Sequence, residues 1–348
     1  MDEQSVGASR LTAAERRASI AGALTALLLA VAIYLGSARL RNFDAALIGY
    51  ATATVVLAFA VVYRYAMWIQ QAPTRRYFVK GWRAFLSWRN FRRFPTLVPK
   101  QLVSYLGLQL FLRERSRGRW LAHLAIFWGV ILATLMTFAL SWGWIHFRVD
   151  DAGSYQMYVW GLRVLTFEPF TWFGWIVFHL LDVAAVLVIA GSAYFLFRRI
   201  RDREVRSEQR LGFDFVPLVA LIAISVTGLL LTFSSVLLGG HGYEFLAILH
   251  MGVVVLSLVF IPFGKFFHVI QRPAVLGVQV FKQVSAAHEG IARCRRCGEP
   301  LETAAFVRNL QETMDELDLR YRAWIETCPR CKRVERGRAY LRDVKRGF

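Results

Sequence analysis

Six long apolar runs, separated by shorter polar stretches, fill the first 270 residues. They cover about 18–36, 45–68, 120–145, 171–197, 214–238 and 244–270. Each approaches or exceeds the ~20 residues that a helix needs to cross a hydrocarbon core of ~30 Å. The pattern predicts an all-α, polytopic membrane helix bundle of about six spans. Beyond it the chain turns polar, and a small cytoplasmic C-terminal domain of metal-ribbon type is expected there. The expected divisions are 1–44 (an N-terminal segment with one extra transmembrane helix), 45–275 (the membrane core) and 276–348 (the tail).

Charge sets the expected topology. The loop 71–119 carries twelve basic residues against Glu114 alone, and 198–210 and the tail are also basic. The connection 147–170 is near neutral, with Asp150, Asp151 and Glu168 against Arg148 and Arg163. With six spans, every basic loop falls on one side, so both termini are expected in the cytoplasm. Arg10, Arg16 and Arg17 precede the first run, and Leu35–Ala38 offers small residues for a signal-type cleavage. That run is longer than a usual signal core, and an uncleaved span is expected. The net charge of +19 sits in these loops. It therefore reads as a topology signal and as contact with membrane lipids, with no nucleic acid as partner. The stretch GWRAFLSWRNFRRF within 71–119 has the composition of a surface-lying helix, and a docking surface for a cytoplasmic protein is the second reading of that loop.

Histidines carry the candidate chemistry, because an ionisable group within a span is costly and marks function by default. His250 and His268 lie eighteen residues apart in the last run. On one straight helix that is five turns, placing both on one face and roughly 27 Å apart. His123 enters the third run at the depth expected for His268, and His179 enters the fourth near the depth of His250. Two imidazoles at matching height on facing helices are what a bis-histidine haem requires. The pairs expected are His123 with His268 near the cytoplasm, and His179 with His250 near the outside. His146 and His241 look too shallow, and His288 falls in the polar tail.

The stretch HMGVVVLSLVFIPFGKFFHVIQRP resembles the last helix of the respiratory nitrate reductase gamma subunit, a membrane dihaem cytochrome b family. The elements are His250, an apolar run to Val259, Phe260-Ile261-Pro262-Phe263, Lys265, His268 and Pro273. LAHLAIFWGVI around His123 resembles the family's earlier ligand helix, and the likeness spans about 45–275. It implies that His268 pairs with His123 and that His250 is the outer ligand of the last helix. The family's second ligand on the earlier helix falls at Ala133 here, so His179 has no direct counterpart. A ligand from a different helix would look more like the cytochrome b subunits of sulfite-reductase-linked and heterodisulfide-reductase complexes.

The resemblance further implies two b-type haems, quinone or quinol as substrate, and cytoplasmic iron–sulfur and catalytic oxidoreductase subunits as partners. It places the chain in a prokaryotic cytoplasmic membrane. Oxidation of quinol at the outer haem would release protons outside while electrons move inward. His146, Arg148 and Glu168 are candidates for the quinone site. The competing readings are a transporter whose buried histidines bind protons or substrate, and an anchor recruiting soluble subunits. No internal repeat or pair of broken helices favours a transporter.

All four cysteines lie in the tail as Cys294-x-x-Cys297 and Cys328-x-x-Cys331. Two such knuckles predict a four-thiolate metal site. Zinc in a closed structural site is the first expectation. A single iron is the second, since the Cys-Pro-x-Cys knuckle resembles rubredoxin, although Lys332 stands where that family has Gly and the interval around 306–324 looks helical.

Overall fold

The computed structural model describes residues 12–202, 210–319 and 321–346. In chain order the helices are α1 (Ala13–Gly36), α2 (Ile48–Gln70), α3 (Ala72–Leu86), α4 (Trp88–Arg93), α5 (Leu97–Gln101), α6 (Leu110–Arg113) and α7 (Arg117–Ser141). Strands β1 (Ile145–Val149), β2 (Tyr155–Val159) and β3 (Leu162–Phe167) follow, then α8 (Trp172–Arg201), α9 (Val216–Leu237), α10 (Tyr243–Phe260) and α11 (Phe267–Glu289). The chain ends with β4 (Ile291–Arg293), β5 (Pro300–Thr303), α12 (Ala304–Glu316), α13 (Arg322–Ile325) and α14 (Pro329–Arg346).

Two compact units emerge: Met1–Met67 with Gln109–Ile270, and Trp68–Leu108 with Gln271–Phe348. Most of the basic loop therefore belongs with the tail, where the sequence reading had grouped it with the membrane core.

Within the first unit and the start of the second, six helices among the described residues are long and apolar enough to cross a membrane. They are Ala13–Gly36, Ala45–Gln70, Arg117–Ser141, Trp172–Arg201, Gly212–Leu237 and Tyr243–Phe260. This composition is that of an integral membrane protein. Local chemistry fixes several ends. Thr12 and Glu15 form a reciprocal cap on α1, the Thr12 hydroxyl accepting from the Glu15 amide at 3.2 Å and the Glu15 carboxylate from the Thr12 amide at 2.7 Å. Thr171 caps α8 by accepting from the Gly174 amide at 3.2 Å.

Small residues let α7 and α8 approach closely while running in opposite directions. Gly118 faces Tyr194, Gly191 faces the Ala122 carbonyl, and Gly129 faces Ala184 and Val188. In hydrocarbon such contacts replace the hydrophobic drive that water would supply. A Cβ at Gly129 would sit 2.8 Å from the Ala184 carbonyl oxygen and 2.7 Å from a Val188 methyl. We expect Gly129→Leu to destabilise the detergent-solubilised protein by about 1–3 kcal/mol of overpacking, measured as a lowered unfolding midpoint. Gly252→Ala is the control, since nothing lies within 4 Å of that position. Equal midpoints for both variants would contradict the close approach.

Two expectations are corrected here. The span 244–270 is not one helix. α10 ends at Phe260, a turn occupies Ile261–Phe266, and α11 begins at Phe267. Pro262 has no amide to donate, and Gly264 follows it in the turn, where its amide and that of Phe263 both reach the Phe260 carbonyl at 3.0 Å. The shared face and the 27 Å interval inferred for His250 and His268 therefore do not hold. The all-α expectation also needs amendment, because 147–170 is more than a loop. α7 stops at Ser141, and β1–β2–β3 form an antiparallel meander. The β1–β2 turn is organised by Asp150, whose carboxylate accepts from the Ala152 and Ser154 amides at 3.1 and 2.9 Å. Trp160 and Gly161, at φ 49° and 80°, join β2 to β3 in the twist that a two-residue hairpin prefers.

In the second unit α3 lays its basic residues along α12. Arg76 pairs with Glu312 and Glu316, and Lys80 with Asn309. Tyr77 stacks on Phe306 with ring centres 4.7 Å apart, and burial pushes its hydroxyl up to about 12. Gly81 crosses Gly277 of α11 at backbone contact, and Ala84, Leu97, Val280 and Val284 close a small core beside them. Part of the positive charge of 71–119 is thus consumed in folding this unit. Leu86, Trp88 and Phe91 remain exposed on the same segment.

Candidate functional site

His123 sits in the second turn of α7, and His268 in the first turn of α11 immediately after the Pro262 turn. Their rings meet edge-on, with centres 6.5 Å apart and planes inclined at 64°. Two imidazole–metal bonds of about 2 Å each, plus the step from each nitrogen to its ring centre, sum to roughly 6 Å. The gap therefore suits one metal atom between two imidazoles. His268 Nδ1 lies 2.5 Å from the Lys265 carbonyl, a bond that places the proton on Nδ1 and makes Nε2 the nitrogen with a lone pair that could bind a metal. The turn at Ile261–Phe266 supplies that carbonyl, so the break in the last apolar run orients the ring.

Charged groups gather at the same end of the unit. The Arg64 guanidinium lies 4.3 Å from the centre of the Phe267 ring, which is itself buried. Asp214 accepts from Lys265 at 2.7 Å and lies 3.3 Å from Arg199 of α8. Arg64, held over the residue next to His268, offers a counter-charge to an anionic group there, whereas Lys265 and Arg199 share Asp214.

His179 and His250 have different surroundings. His179 stacks on Trp175 at 4.7 Å and places Nδ1 3.0 Å from the Trp175 carbonyl. His250 Nδ1 meets the Thr227 hydroxyl at 2.9 Å, while that hydroxyl donates to the Ala223 carbonyl at 2.7 Å. Tyr50 lies 6.4 Å from the His250 ring, and a Cβ at Gly228 would meet its Cε1 at 3.4 Å. Each ring thus has its Nδ1 engaged by a neighbouring group. Among the described residues, no ring contact joins His179 to His250.

Sequence reasoning missed Asp182, a carboxylate within α8 that accepts from Thr232 of α9 at 2.7 Å. It stands three residues from His179, hence on nearly the same helix face. One signal was available, since an acid inside an apolar run is a functional candidate. Of the three residues named for a quinone, two are brought together. His146 and Arg148 both lie over Tyr158, at 5.1 Å each. Burial, then the neighbouring Arg148, holds the His146 imidazole below its usual range. Glu168 sits apart at the start of the α8 approach, its carbonyl accepting from the Thr171 hydroxyl.

The four cysteines converge. Their Sγ atoms all lie within 4.8 Å of one another, and Cys297 and Cys328 are 3.6 Å apart. A tetrahedral thiolate site with ~2.3 Å bonds has edges of about 3.8 Å, so the cluster fits a single ion. The first knuckle leaves β4 and turns at Gly298, φ 74°. The second opens α14. The Arg295 amide donates to the Glu326 carbonyl at 3.0 Å, and the Cys328 amide lies 3.3 Å from Cys294 Sγ, tying the knuckles together. Backbone amides, that of Cys328 foremost, pull the Cys294 thiol down to about 6, while shared hydrogen bonds from Cys297 and Cys328 push Cys331 up to about 12. The arrangement collects thiolates without closing a disulfide.

The fold and site define an integral membrane protein, mostly helical, with a C-terminal four-cysteine group able to bind a metal ion. No protein-family model, curated protein or solved structure matches the chain.

Proposed function

We propose that this protein is a membrane cytochrome b subunit, carrying electrons between the quinone pool and cytoplasmic redox subunits. The observation that supports it most is the 6.5 Å between the His123 and His268 ring centres, a spacing suited to bis-imidazole ligation. When bound there, a b-type haem supplies a one-electron couple. The chain's own contribution is to fix the two rings, orient His268 through the Lys265 carbonyl and place Arg64 nearby as a counter-charge.

A second haem held by His250 and His179 is the further part of this reading, supported by their engaged Nδ1 atoms. Quinone chemistry also moves protons, and Asp182 with Thr232 is a carboxylate placed to accept one within the span. Both termini are assigned to the cytoplasm on the basic loops, with redox subunits as partners there. Zinc is the proposed tail metal, acting as a structural staple.

The test is the colour of the purified full-length protein from haem-replete cells. A reduced-minus-oxidised spectrum with the α band of a low-spin b haem supports the reading, and haem content per chain separates one haem from two. A colourless preparation would instead support a transporter or anchor built on the same histidines.

A further inference from the structure

A cleft of about 650 Å³ opens beside the cysteine knuckles, between Arg296, Trp324 and the exposed side of α14. Arg336, Arg338, Leu341 and Arg342 complete most of its wall. One carboxylate, Glu335, enters the same wall, and it is already paired with Arg296. Among the described residues no carboxylate pairs with Arg336, Arg338 or Arg342. Arg338 and Arg342 are four residues apart on one helix, a like-charge placement that costs stability unless an anion lies between them. Guanidinium groups lining one shallow, open depression suit phosphate oxygens, which they bind in pairs of parallel hydrogen bonds.

The flanking surface narrows the class of anion. Val334, Leu341 and Val344 recur at helical spacing and are 47%, 58% and 37% exposed, with Tyr340 at 69%. An inorganic ion would leave this apolar row in water, whereas an amphiphile would cover it. From 329 to 344 the sequence has six basic residues and two acidic ones, the balance of a helix that lies on an anionic membrane surface. The unit carrying α14 is joined through the chain to six helices able to cross a membrane.

We propose that this arginine cleft binds the phosphodiester headgroup of an anionic phospholipid, with Leu341 and Tyr340 resting against the glycerol and upper acyl region. The site is independent of the haem reading and survives its failure.

Hydrogen exchange on the full-length protein in nanodiscs tests it. Amides of α14 exchange at least about tenfold more slowly in discs containing phosphatidylglycerol than in phosphatidylcholine alone, and high salt removes the difference. The combined variant Arg336→Ala, Arg338→Ala, Arg342→Ala loses the protection while keeping its tail metal, which shows that the unit is folded. Leu341→Ser, which leaves the charges alone, weakens it. Inorganic phosphate added to phosphatidylcholine discs gives none. Equal exchange in the two lipids overturns the proposal, as does full protection by inorganic phosphate, which would make the cleft a site for a soluble anion.

Discussion

His268→Ala is expected to strip the b-type haem proposed for the His123–His268 pair, and His123→Ala to do the same. With one ring gone, the remaining imidazole cannot hold a low-spin bis-histidine iron. The expected loss is near total: haem content falls by one per chain and the corresponding α band disappears. The two ring centres lie 6.5 Å apart, so either variant leaves half a site. His268→Ala also removes the hydrogen bond that Nδ1 donates to the Lys265 carbonyl, yet added imidazole restores part of the band in both variants if the cavity survives. His288→Ala, outside the candidate spans, is the control and stays fully coloured. Unchanged spectra in both ligand variants would sink the electron-carrying reading. Loss of colour with no rescue and a lowered unfolding midpoint would point to misfolding, which His123→Gln, a gentler change, then separates.

Cys328→Ser has the second large effect. Cys328 is almost wholly buried, its amide contacts Cys294 Sγ, and its own sulfur meets Cys297. Structural zinc contributes about 10–16 kcal/mol of apparent binding energy at neutral pH in small metal-folded peptides. Losing a ligand therefore exceeds what a small domain has in reserve. Metal content falls from one ion per chain towards zero, and protease cuts the chain between 290 and 346 while the candidate spans stay intact. Thiols must lose protons to bind metal, so the affinity of the unaltered site falls as pH is lowered. Hydrogen bonds from the neighbouring thiols push Cys331 up to about 12 and, against the pull of the Cys331 amide, burial raises Cys328, so these two thiols hold their protons hardest against the ion. Elemental analysis of the same preparation distinguishes zinc from iron. A metal-free but protease-resistant tail would show that the ion is not a staple.

Much of this was legible in the residues because its cause is local. Apolar length alone marked six candidate spans, since a bilayer fixes how long a helix must be. Cys-x-x-Cys spacing alone announced a four-thiolate group, because two residues between ligands make a knuckle that both sulfurs can share. Other features were misjudged where one local signal was overridden by another. The run 244–270 was read as continuous although Pro262 and Gly264 stand within it, and they end α10 at Phe260. Aromatic and β-branched residues from Tyr155 to Phe167 were passed over as loop, yet they pair as a meander closed by Trp160–Gly161.

What the sequence determined by itself is the set of elements and ligand types: apolar helices, histidines within or beside them, and four thiols in the tail. Which of those groups meet was decided by tertiary structure. The turn after α10, unseen by periodicity, swings His268 onto a new helix opposite His123, while His250 turns to Thr227 and His179 to Trp175. The same holds for Arg76 and Lys80, whose charge is spent on α12. Spacing along a chain fixes only neighbours within a few turns. Contacts between helices depend on where each one stops, and small steric and capping effects set that point.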